Sequence, residues 1–115
     1  MPYEHLTSVN DVRLAPYARV RDSDLADWPD APAGLFMAES RTVIAAAIDA
    51  GTRPHSFLVS ESWADDAAPL ARQLLAQHPA CPVLRVSDSL FSQVTGYKIV
   101  RGPVAAFERP ALPDP

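Results

Sequence analysis

Two short segments of this 115-residue chain could hold a polyanion. The first is Glu39, Ser40 and Arg41, set between the apolar run LFMA and the run TVIAAAIDAG. Those patterns predict a strand running into a helix, with the three polar residues at the turn. A helix N-terminus offers unpaired N–H groups and the positive end of the macrodipole, both suited to phosphate. Arg41 adds a guanidinium fork. Glu39 would repel phosphate, which leaves it to orient Arg41, to cap the helix, or to accept from a base or a ribose hydroxyl. Spacing alone favours a plainer reading, in which Ser40 is an N-cap between two solvated charges. The second segment is TGYKIVRG, residues 95–102. Tyr97 offers a stacking face, Lys98 and Arg101 offer charge, and Gly102 lets a backbone come close. Aromatic stacking with phosphate contacts is how unpaired RNA is usually held. Here too a second reading stands: a hairpin-like connection with Tyr97 packed on the core.

Other chemistry is missing from the sequence. Neither G-x-G-x-x-G nor G-x-x-x-x-G-K-[ST] occurs among the 4 glycines. His5, His55 and His78 are scattered, with no Cys or His at metal-ligand spacing. Cys81 lies between Ala80 and Pro82 with no base nearby in sequence and reads as structural. Ser40, Ser60 and Ser62 lack the strand–turn–helix glycines of a nucleophile elbow. Asp65 and Asp66 read as acids placed at a helix N-terminus. No catalytic residue, cofactor site or metal site is expected on this chain.

Charge narrows the choice of partner. The net charge of -4 argues against strong nonspecific binding of nucleic acid. The distribution is uneven: residues 85–109 hold Arg85, Lys98, Arg101 and Arg109 against only Asp88 and Glu108. Of the 10 cationic residues all but Lys98 are arginine, the better phosphate fork. No apolar run approaches the roughly 20 residues of a membrane helix. The start MPYEHLTSVNDVR has no apolar stretch, so no secretory signal is expected. The single cysteine excludes an internal disulfide and fits a cytoplasmic protein.

Those segments need a frame. Residues 1–33, punctuated by Pro16, Pro29 and Pro32, read as an irregular N-terminal extension with a short helix possible near 10–15 and another after Ser23. Strands are expected at 35–38, 56–60, 83–86 and 103–107, and helices near 40–50, 66–78 and 88–94, with Pro69 in the first turn of the second helix. Leu35, Phe36, Ile44, Ile48, Leu58, Val59, Leu74, Leu84, Phe91, Val104 and Phe107 should form the core, and Val43 should lie on the apolar face of the first helix. Alternation of strand and helix implies a parallel or mixed sheet with helices on both faces. Residues 34–109 form the domain proper, and the proline-rich 110–115 reads as a linker.

The order and spacing of these pieces resemble the amino-terminal substrate-binding domain of the SpoU/TrmH family of RNA ribose 2'-O-methyltransferases. Phe36, Met37, Ala38, Glu39 and Ser40 match its strand ending in a glutamate and a small residue. The stretch from Val43 to Gly51 matches its following helix, and Phe57, Leu58, Val59 and Ser60 match its second strand. Gly102 before Val104, Ala105 and Ala106 matches its glycine before the last strand, with Arg101 where glutamine is common. The resemblance implies an α/β fold: a three-layer α/β/α sandwich with a small mixed sheet, like that of the ribosomal proteins that bind kink-turn RNA. It implies rRNA or tRNA as partner, held by Glu39, Ser40, Arg41, Tyr97, Lys98, Arg101 and Gly102. It also implies that S-adenosylmethionine binding, methyl transfer and homodimerisation belong to a catalytic domain beyond this chain, the isolated domain being a monomer or weak dimer. A competing reading, supported by the acidic balance, is a small α/β protein-interaction or regulatory module without nucleic-acid binding.

Overall fold

A computed structural model describes residues 3–18, 28, 33–96 and 103–109. The segment 97–102, the expected linker 110–115 and the helix expected after Ser23 lie outside them. The described chain forms a mixed five-stranded sheet covered on both faces. Its strands are β1 (Glu4–His5), β2 (Leu35–Ala38), β3 (Pro54–Ser60), β4 (Val83–Val86) and β5 (Val104–Glu108). Its helices are α1 (Arg41–Asp49), α2 (Ala64–Gln77) and α3 (Asp88–Thr95), with 3-10 segments at Val12–Tyr17 and Glu61–Trp63. The α/β class, the two covered faces and the four expected strands agree with the sequence reading.

Strand order is β1-β4-β3-β5-β2. β1, β4 and β3 are parallel, while β5 runs antiparallel to both β3 and β2. It follows that β2 points the same way as β3. The carboxyl ends of β1 to β4 and the entry to β5 therefore share one edge of the sheet.

Period-two alternation splits each inner strand between two cores. Leu58, Leu84, Val104 and Ala106 face Leu14, Tyr17, Phe91 and Val94 on one side. Phe57, Val59, Ala105 and Phe107 face Ile44, Ile48, Ala67 and Leu74 on the other. β5 is buried on both faces, which explains its unbroken apolar sequence VAAF.

Local signals set the helix ends. Ser40 Oγ accepts from the Val43 N–H at 3.2 Å and starts α1. Gly51 ends it at φ 75°, with Thr52 N donating to Ala47 O and Gly51 N to Ile48 O, both at 3.0 Å. This is the Schellman pattern, which satisfies orphan carbonyls. Ser87 caps α3 by accepting from Leu90 N at 3.1 Å, and Gly96 ends it at φ 68°.

Several details differ from expectation. Helix α2 begins at Ala64, because buried Ala64 and Ala67 continue its sheet-facing stripe toward the 3-10 turn. Pro69 consequently lies beyond the first turn, on the exposed side. Phe36 is only partly buried because β2 is an edge strand; it stacks on Phe107 at 5.6 Å and 19°. Val43 is 47% exposed, since it sits off the Ile44, Ala47, Ile48 stripe. Residues 1–33, read as an irregular extension, contribute β1, a 3-10 segment and the buried side chains Leu6, Leu14 and Tyr17. Tyr3 also hydrogen-bonds Ala64 O at 2.8 Å. A two-residue strand and a six-residue 3-10 segment are too short to show periodicity.

Candidate functional site

The carboxyl edge of the sheet is where open α/β folds gather ligands. The register builds it in detail. Ala38, the last residue of β2, pairs with Ala105 of β5, and Leu58 pairs with Val104. Residues 39–41 thus leave β2 at the edge where Pro103 enters β5. Ser60 pairs with Val86, so residues 61–63 and 87–88 leave β3 and β4 side by side.

Of the residues proposed from sequence, Glu39, Ser40 and Arg41 are described and all three are exposed. Ser40 is the α1 cap. Its bond to Val43 leaves the first N–H groups of α1 without a partner inside the helix, as geometry requires. Glu39 has no hydrogen bond or ion pair among the described residues. Arg41 is not oriented by Glu39; its Nη2 pairs with Asp66 of α2. That contact engages one guanidinium nitrogen of a side chain 51% exposed, so further donors stay available. Tyr97, Lys98, Arg101 and Gly102 lie outside the described residues.

The sequence reading missed the acidic half of this edge. Arg85 Nη2 donates to Glu61 Oε1 at 3.0 Å, while Arg85 Nε is buried with no hydrogen-bond partner among the described residues. Ser62 N donates to Asp88 Oδ1 at 3.0 Å, and Ser62 Oγ also donates to the Asp88 carboxylate. The Ser62 hydroxyl, then its N–H, hold the Asp88 carboxyl below the usual carboxylate range, because both favour the charged form. A signal was present: acids at 61, 65 and 66 directly follow a strand end. Reading Asp66 only as a helix-start residue hid its pairing with Arg41.

A concavity of about 600 Å³ lies at the opposite edge and is lined by Arg53, His55, His78, Cys81 and Glu108 among others. Burial pushes the Cys81 thiol up to about 12, which suits a structural cysteine rather than a nucleophile. Among the described residues no group of three or more His, Cys, Asp or Glu could hold a metal ion. His55 Nδ1 meets Ser56 Oγ at 3.3 Å, and the His55 ring meets Trp28 edge-on at 6.3 Å. These contacts tie the groove into the core packing. No helix among the described residues is long and apolar enough to cross a membrane.

No family model matches the sequence, and no curated protein matches it. The fold is similar to part of an rRNA methyltransferase from Sinorhizobium meliloti. One structure of that enzyme superposes with a TM-score of 0.64 at 18% identity, covering 94% of this chain and 38% of that chain. An AdoMet-bound structure gives a TM-score of 0.68 at 19% identity, covering 96% of this chain and 38% of that one. The chain thus spans 38% of the length of the structures it resembles. At this identity the likeness is one of fold.

Proposed function

We propose that this chain is the RNA substrate-recognition domain of an S-adenosylmethionine-dependent ribose 2'-O-methyltransferase of the SpoU/TrmH type, acting on rRNA or tRNA in the cytoplasm. The observation that carries the reading is the register of β2 on β5. It brings the Glu39, Ser40 and Arg41 junction to the edge where the chain re-enters the sheet after Tyr97, Lys98, Arg101 and Gly102. The fold shared with part of an rRNA methyltransferase supports the choice of RNA as partner. In this reading Arg41, Lys98 and Arg101 neutralise phosphate, Tyr97 stacks on an unpaired base and Gly102 admits the backbone. Cofactor binding, methyl transfer and homodimerisation belong to a catalytic domain outside this chain.

The net charge of -4 sets the scale of affinity. Binding by this chain alone should be no tighter than roughly micromolar at physiological salt. The test is fluorescence anisotropy against rRNA and tRNA fragments over a salt series, for the native chain and an Arg41→Ala/Lys98→Ala/Arg101→Ala variant. Loss of binding should come with a salt slope lower by about one charge for each phosphate contact removed. Equal affinity and equal slope in a folded variant would move the interface elsewhere. The carboxylates along the same edge favour a second reading, a module that docks a basic protein segment. Absence of RNA binding by the native chain would select it.

A further inference from the structure

Two arginines near the carboxyl edge, Arg41 and Arg85, are occupied by one short segment. Glu61 and Asp66 flank the turn from β3 into α2 and pair with Arg85 of β4 and Arg41 of α1. Between them Ser62 is fastened to Asp88 at the start of α3, and Tyr3 donates to Ala64 O at 2.8 Å. The hexapeptide is thereby held against three neighbouring elements, with its carboxylates aimed at the guanidinium groups. Carboxylate and phosphate oxygens offer a guanidinium the same charge-assisted acceptors.

We propose that residues 61–66 act as an internal phosphate mimic, whose Asp66 and Glu61 carboxylates hold Arg41 and Arg85 until a nucleic-acid backbone displaces them. The inference rests on the RNA-binding reading and concerns how that site is regulated. Both pairs are open to solvent: the Arg41 and Asp66 side chains are 51% and 48% exposed, and those of Arg85 and Glu61 35% and 51%. Exposed pairs of this kind are weak and exchange readily. A single small anion gains little by displacing one carboxylate, since it must do so at its own entropic cost. A polyanion tethered at one arginine meets the second at high effective concentration. The mask therefore discriminates against free anions and short acidic ligands, and in favour of an extended phosphate backbone.

The test uses the 115-residue chain, a fluorescein-labelled single-stranded RNA and anisotropy across a salt series. Asp66→Asn should tighten binding roughly twofold to fivefold, the range corresponding to one exposed ion pair. It should also steepen the salt slope by about one charge, because Arg41 then meets phosphate instead of carboxylate. Asp49→Asn, the same charge change at the far end of α1, should give a much smaller gain. In an Arg41→Ala background Asp66→Asn should give none. Native binding with no response to Asp66→Asn would overturn the mimic while leaving RNA binding intact. So would an equal gain from Asp49→Asn, or a gain that survives Arg41→Ala, since either is a net-charge effect. No binding by native, Asp66→Asn or Glu61→Gln chains would overturn the RNA reading and the mimic together.

Discussion

Tyr17→Phe should destabilise the fold through a single oxygen atom. The Tyr17 hydroxyl is buried and bridges two strands: Ala106 N of β5 donates to it at 3.3 Å, and it lies 2.7 Å from Ser56 Oγ of β3. The bridge sits beside a register slip, where Pro54 pairs with Phe107 but Ser56 pairs with Ala106. His55 is the extra residue of this bulge, and ladder pairing is disturbed there. An amide can only donate, so the Tyr17 oxygen accepts from Ala106. Its own proton is then satisfied by Ser56 Oγ, which in turn can donate to His55 Nδ1 at 3.3 Å. Burial raises the Tyr17 pKa well above its ordinary value, so the phenol stays protonated and keeps this direction. Phenylalanine would keep the ring packing and remove the one oxygen that Ala106 N and Ser56 Oγ both contact. An unsatisfied buried donor costs about 1–3 kcal/mol. Unfolding entropy near 2.1 cal/mol/K per residue makes each kcal/mol worth about 4 °C at this chain length, so Tm should fall by roughly 4–12 °C. Ser56→Ala should cost about 1–2 kcal/mol by stranding the phenol proton. The double variant should fall short of the sum by about 1 kcal/mol, because the two share one bond. Urea unfolding followed by circular dichroism measures all three. A Tyr17→Phe loss under about 0.5 kcal/mol at unchanged m-value, or full additivity with Ser56→Ala, would refute the bridge.

The remaining predictions concern the carboxyl edge. Ser40→Ala removes the α1 cap and should cost about 1 kcal/mol in urea unfolding, and Ser40→Asp should restore most of it. Asp88 has a folded pKa below its unfolded value, so its bonds to Ser62 stabilise the fold above the unfolded value of about 3.9 and fade as pH falls through the folded one. The native chain should exceed Asp88→Asn in urea midpoint at neutral pH, and the gap should close on acidification below about pH 4. A gap independent of pH would assign the effect to packing instead.

What the sequence disclosed follows from the range of each signal. Caps are local, so Ser40 reads as a helix start from its neighbours alone, and the ends at Gly51, Ser87 and Gly96 are set by equally local bonds. Strands buried on one or both faces carry their period with them, which is why 35–38 and 83–86 matched the observed β2 and β4. Strand order carries no such local mark. Nothing in VAAFE says that it inserts antiparallel between β3 and β2, yet that insertion brings residues 39–41 beside the entry to β5. The same limit governs charge. Arg41 and Asp66 are far apart in sequence and meet because α1 and α2 pack on one face of the sheet. Arg41 looked like a cation free to take phosphate, with Glu39 beside it as the natural partner; the fold gives it a carboxylate from another helix instead. A net charge summed over the sequence cannot distinguish those cases. In the proposed RNA-binding reading, the affinity of this edge is set by the charges that an incoming backbone can release, and those are decided by topology.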